Sequence, residues 1–147
     1  MKAEQCAIHD GNPSSEEIAD ILKDSRSIAV VGCSPKASRD SHQVARYLLD
    51  HGYDVIPVNP GQKEILERMC YSSLMHIPVS VDVVDIFLNP KRVPPVVDQA
   101  IEIGAKVVWM QLGVVENASA LKAGQKGIQV VMDRCIKQEH RKLAPPK

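Results

Sequence analysis

The stretch Ser27-Ile28-Ala29-Val30-Val31-Gly32-Cys33-Ser34 decides how this chain is read. Its apolar run is too short for a helix and shows no polar alternation, so it reads as a strand buried on both faces. The glycine that follows lets the backbone turn sharply at the strand's carboxyl end and approach whatever lies there. Upstream, Ser14 and Glu17 stand three apart as a capping box, and Ile18, Ile21 and Leu22 repeat at helical spacing. Downstream, Val44, Ala45, Leu48 and Leu49 mark a second helix that ends near Gly52. The core pattern is therefore helix, strand, helix.

The pattern continues along the chain. Residues 54–58 form a second strand stopped by the turn Asn59-Pro60-Gly61, and 83–88 a third stopped by Asn89-Pro90. Val96, Val97, Ala100 and Ile101 give a helical stripe with Gly104 beyond it. Residues 106–110 and 127–132 read as strands, 117–126 as a weak helix and 136–143 as a helix. Residues 64–70 are expected to form a short helix followed by an extended piece, and 72–78 a loop with one helical turn. Such alternation predicts an α/β protein: a Rossmann-type three-layer αβα fold with a mainly parallel sheet of five to six strands. Residues 1–13 are expected to be a flexible N-terminal segment, 14–143 a single domain and 144–147 a frayed tail.

Composition bounds the function. A chain of 147 residues is about one domain. Eighteen Lys and Arg balance eighteen Asp and Glu, giving a net charge of zero, which argues against nucleic acid and against a basic membrane-binding face. Aromatic residues make up 3%, poor provision for stacking bases. No apolar run approaches the ~20 residues that span a bilayer, and 1–13 lacks the apolar stretch of a signal peptide. A cytoplasmic location is expected. Cys6, Cys33, Cys70 and Cys135 show no metal-ligand spacing and read as reduced thiols.

In a parallel sheet of this kind ligands bind beyond the carboxyl ends of the strands. Functional residues are therefore expected after Val31, Val58, Leu88 and Met110. The first of these loops runs Gly32-Cys33-Ser34-Pro35-Lys36-Ala37-Ser38-Arg39. Its backbone N–H groups and the helix that follows favour a phosphate, and Lys36 and Arg39 add positive charge. Cys33, beside those cations, is a candidate for a thiol of lowered pKa; the alternative is a small residue facing the core. Ser34 and Ala37 stand where a dinucleotide fingerprint has its second and third glycines, and no carboxylate follows the second strand. The Walker phosphate-loop pattern is absent too. Gln111 is expected to face the ligand crevice, with Trp109 or Met110 in the core.

The motifs 28–34, 53–60, 104–111 and 130–135 together resemble the small stand-alone CoA-binding proteins, a family similar to the N-terminal domain of the succinyl-CoA synthetase alpha subunit. The resemblance covers roughly 18–143. It implies that the loop Gly32, Cys33, Ser34, Pro35 and Lys36, with Arg39, wraps the phosphates of coenzyme A. It implies that Asn59 and Pro60, with Lys63 as a looser match, approach the nucleotide part. Leu88, Asn89, Pro90 and Lys91 then lie along the other side of the ligand. The chain departs from the family at Glu67, where glycine is common, and at His76, where an acidic residue is common.

Synthetase relatives work through a phosphohistidine in a second domain, for which the chain is too short. His9, His42, His51, His76 and His140 do not follow glycine-rich strand ends; His42 and His51 read as solvated. Asp82 and Asp85 are placed flanking a strand. The resulting expectation is a protein that binds CoA or an acyl-CoA without chemistry of its own, with a homodimer as a possible assembly. Two alternatives stand beside it: an NAD(P)-binding oxidoreductase or redox sensor on the same fold, and a detached subunit of an acyl-CoA synthetase.

Overall fold

The computed structural model describes residues 12–143. Helix α1 (Ser15–Asp24) begins with the expected capping box: Ser14 Oγ accepts from the Glu17 N–H, and the Ser14 N–H donates to Glu17 Oε1. It leads into β1 (Ser27–Val31), which is buried at every position. Then follow α2 (Asp40–Asp50), β2 (Asp54–Val58), a small hairpin of β3 (Glu64–Ile65) and β4 (Arg68–Met69), β5 (Val83–Ile86), α3 (Val93–Glu102), β6 (Val107–Met110), α4 (Asn117–Gln125), β7 (Gln129–Val131) and α5 (Ile136–Arg141).

The main sheet has five strands in the order β2-β1-β5-β6-β7, all parallel. Helices cover both faces, as expected for a Rossmann-like three-layer fold. One core layer packs Ala29, Val31, Val84, Ile86, Val108 and Met110 against α3 and α4. The other packs Ile28, Val30, Val83, Trp109 and Val131 against α1, α2 and α5. Alternation along each strand assigns these faces, and burial on both explains why the strands read as continuous apolar runs.

Residues 64–70 differ from expectation. The structure has an antiparallel hairpin, not a helix, whose turn residues Leu66 and Glu67 adopt φ of 55° and 61°. A two-residue hairpin turn demands this left-handed backbone, the conformation that glycine adopts most easily. The turn gives a physical reason why the resemblance implies glycine at position 67. The single helical turn expected within 72–78 is a 3-10 turn at Leu74–His76. The proposed flexible segment 1–13 lies mostly outside the described residues. Asn12, however, pairs with both backbone groups of Met132, donating to its carbonyl at 2.9 Å and accepting its N–H at 2.7 Å.

Asp85 also differs. It lies within β5, as the strand read at 83–88 implies and not at the flanking position, opposite Val30 and Trp109, and is fully buried. Neither carboxyl oxygen has a hydrogen-bond partner among the described residues, and burial pushes its pKa well above the ordinary carboxylate value. Asp82, three residues earlier, contrasts with it. Partial burial opposes its ionisation, but the N–H groups of Arg26 and Ser27 and the Lys106 ammonium outweigh that and hold its pKa below the usual value.

A raised folded-state pKa means that the Asp85 contribution is intact below the unfolded value near 4 and is lost as pH rises toward the folded value. Asp85→Val is therefore expected to raise the melting temperature at pH 8 and to raise it less, or lower it, at pH 4. Thermal melts of both proteins across this range are the check; a pH-independent difference contradicts the assignment.

Candidate functional site

The chain runs from β1 outward to β2, then returns past β1 to build β5, β6 and β7. Loops leaving β1 and β5 therefore diverge, and this reversal opens a crevice at the carboxyl ends of the strands. Gly32 makes the reversal sterically possible. It has φ of 85°, and a Cβ there would lie 2.4 Å from the Phe87 carbonyl oxygen and 3.1 Å from Leu88 Cδ2. Its N–H meanwhile donates to the Val58 carbonyl at 3.0 Å.

The loop after β1 is tied down by its neighbours. The Ser34 N–H donates to Ser41 Oγ at 2.9 Å, the Lys36 N–H donates to Ser34 Oγ at 3.1 Å, and His42 Nδ1 donates to the Ser34 carbonyl at 2.9 Å. His42 is accordingly buried and braces the loop, in contrast to the solvated position expected for it. Asn59 joins this loop to the one after β2: its Nδ2 donates to the Cys33 carbonyl at 2.8 Å, and its Oδ1 accepts the Gly61 N–H at 2.9 Å. Asn89 Oδ1 accepts the Lys91 N–H at 2.9 Å and starts the 3-10 turn Pro90–Arg92.

The crevice has a volume of about 490 Å³. Of the thirteen residues expected from sequence, Gly32, Ser34, Arg39 and Leu88 line it. Pro35 and Lys36 are exposed on the turn beside it. Asn59, Pro60 and Lys63 belong to the loop after β2, and Asn89, Pro90 and Lys91 to the loop after β5; none of these six lines the crevice itself. Gln111 does line it, as expected, and its Oε1 accepts the Ile136 N–H at 3.1 Å. Trp109 and Met110 are both fully buried.

Sequence reasoning missed the wall contributed by the C-terminal segment: Cys135, Lys137, Gln138 and Arg141. The string Asp133-Arg134-Cys135 acquires a role here. Asp133, at φ of 57°, accepts the Gly113 N–H at 2.7 Å, and Trp109 Nε1 donates to the Arg134 carbonyl at 2.9 Å. These bonds fasten the start of α5 to the end of β6. A conspicuous polar string just after the last strand was the only signal available in the sequence.

Of the two positions open to Cys33, the structure has the one facing the core. Its side chain is fully buried in the core beneath the loop, and burial, then the neighbouring Cys70 thiol and the Asp85 carboxyl, push its pKa up to about 12. Nearby cations on the loop do not offset the loss of solvent, so the thiol stays protonated.

A family model described as CoA binding domain matches residues 26–141. The chain belongs to that family. Relatives place the domain in two settings. The uncharacterised protein YneT of Bacillus subtilis is 41% identical over 129 residues, spanning 88% of this chain and 96% of that protein. Acetate–CoA ligase (ADP-forming) I of Archaeoglobus fulgidus is 34% identical over 103 residues, spanning 70% of this chain and 14% of the ligase. Among solved structures, a hypothetical protein from Pyrococcus horikoshii is 46% identical with a TM-score of 0.87, covering 89% of this chain and 92% of that one. No helix among the described residues is long and apolar enough to cross a membrane.

Two outcomes follow from the geometry. Gly32→Ala combines strain with a backbone clash and is expected to cost about 3 kcal/mol. Gly104→Ala, also at positive φ but with open space around its Cβ, is expected to cost about 1 kcal/mol. Denaturant unfolding measures both, and equal costs contradict the close approach. In native protein at pH 8, iodoacetamide with peptide mapping should modify half-buried Cys135 and spare Cys33.

Proposed function

We propose that this chain binds coenzyme A or an acyl-CoA, with the phosphates against the loop Gly32–Lys36, and performs no chemistry of its own. The observation that carries the reading is the crevice at the β1/β5 reversal in a member of the CoA-binding domain family. Gly32 keeps that loop free of a side chain that would fill the approach, and Lys36 stands exposed on it. Asn59 and Lys63 flank it from the β2 side, and Leu88, Asn89 and Lys91 from the β5 side. The family resemblance brings Asn59 and Pro60 toward the nucleotide part of CoA. The buried, protonated Cys33 supports a binding role over a thiol-based one.

A second reading is favoured by the match to ADP-forming acetate–CoA ligases, in which the shared region is a small part of the protein. In that reading the domain presents CoA to a partner that carries out acyl transfer. A nicotinamide dinucleotide has less support: β2 ends in Val58-Asn59-Pro60 with no carboxylate to hold a ribose.

Calorimetry with CoA, acetyl-CoA, NAD and NADP tests the reading. Binding of CoA is expected, with Lys36→Ala weakening it roughly tenfold at low salt and less at high salt, because a charge-assisted contact is removed. Binding of NAD without CoA overturns it. Acyl-CoA formation that requires a copurifying nucleotide-binding chain favours the second reading.

A further inference from the structure

Helix α5 brings to the crevice what the strand-end loops do not. Lys137 and Arg141 stand one helical turn apart, hence on one face of the helix, and both line the crevice. Arg39, at the head of α2, lines it as well. Against these three cations the lining carries one carboxylate, Asp40. Among the described residues none of the three is in an ion pair, whereas Lys106, Lys122 and Lys142 each have a carboxylate partner. In a chain of zero net charge this is a local excess of positive charge in a concavity, where low-dielectric walls concentrate its field.

The wall that presents these cations is held in place. Tyr47 Oη on α2 lies 2.8 Å from His140 Nδ1 on α5, and the His51 and His140 rings meet edge to face with centroids 5.1 Å apart. At the other end of α5 the Ile136 N–H is taken by Gln111. Lys137 and Arg141 therefore project from an anchored helix, and holding like charges together there is unfavourable until an anion arrives.

We propose that Lys137, Arg141 and Arg39 form an oxyanion subsite that holds a phosphate or carboxylate group of the ligand at the α5 wall. The inference rests on the CoA reading and extends the site to a helix outside the three strand-end loops. CoA and its thioesters offer three such groups: the diphosphate, the 3′-phosphate and, in some thioesters, an acyl carboxylate. A guanidinium binds any of them through paired N–H donors.

The test is calorimetry on the full chain and on Lys137→Ala/Arg141→Ala, with CoA, dephospho-CoA and succinyl-CoA at low and high salt. The double variant is expected to bind roughly tenfold more weakly at low salt, with the gap narrowing as salt rises. Loss for CoA but not dephospho-CoA assigns the 3′-phosphate, equal loss for both assigns the diphosphate, and loss confined to succinyl-CoA assigns the carboxylate. Lys137 Nζ also lies 5.6 Å from the Tyr47 ring centroid, so Arg141→Gln is measured too, with thermal melts to show that each variant folds. Unchanged affinity for every ligand at both salts overturns the subsite. If the wild type binds none of the three, the CoA reading fails instead. Thermal stabilisation by pyrophosphate alone then decides the subsite, equal shifts in wild type and variant overturning it.

Discussion

The contact on which the site depends is the approach of the Gly32 backbone to the Phe87 carbonyl. A Cβ at position 32 would lie 2.4 Å from that oxygen, so no other residue fits without moving a strand end. The Gly32 N–H is at the same time bonded to Val58 and the Phe87 N–H to Val31. One residue without a side chain thus joins the ends of β2, β1 and β5 where the sheet reverses its order. The loop after β1 can lie low over the sheet, and the crevice opens beside it.

Alternation along the strands connects this surface to the layer below. Val30, Asp85 and Trp109 stand opposite one another in three adjacent strands. Two residues on, on the same face, are Gly32, Phe87 and Gln111, all lining the crevice. The layer under the floor therefore contains a buried carboxyl without a hydrogen-bond partner among the described residues, which favours its neutral form, with the Cys33 thiol near it in the same state. Charge is excluded below the floor and concentrated on the rim, where Arg39, Lys137 and Arg141 meet solvent.

Much of the fold was legible because its strands are short, apolar and punctuated by Gly32, Asn59-Pro60 and Asn89-Pro90. The capping box at Ser14 and Glu17 is local and formed as written. The hairpin at 64–69 was not legible, because its turn uses Leu66 and Glu67 where a glycine or asparagine would have announced left-handed backbone. It is tied to β2 by Arg68, whose Nε donates to the Val55 carbonyl at 3.2 Å. Asp85 falls within the strand read at 83–88, but only the register of three strands shows its carboxyl enclosed between Val30 and Trp109.

For the site the division follows the range of the forces involved. Sequence alone determined the alternating α/β order, the balance of charge and the loops at the strand ends, since these depend on neighbours a few residues away. It also carried the family resemblance, which rests on ordered motifs. Only the tertiary structure decided that Cys33 points into the core, that His42 braces the first loop, and that α5 closes the crevice with Lys137 and Arg141. His42 reaches Ser34 only eight residues back, but Cys33 is buried beside Cys70 and Asp85, and the α5 wall joins Tyr47 and His140, 93 positions apart. Their contacts exist only after the sheet has folded, so no local pattern of residue types could announce them.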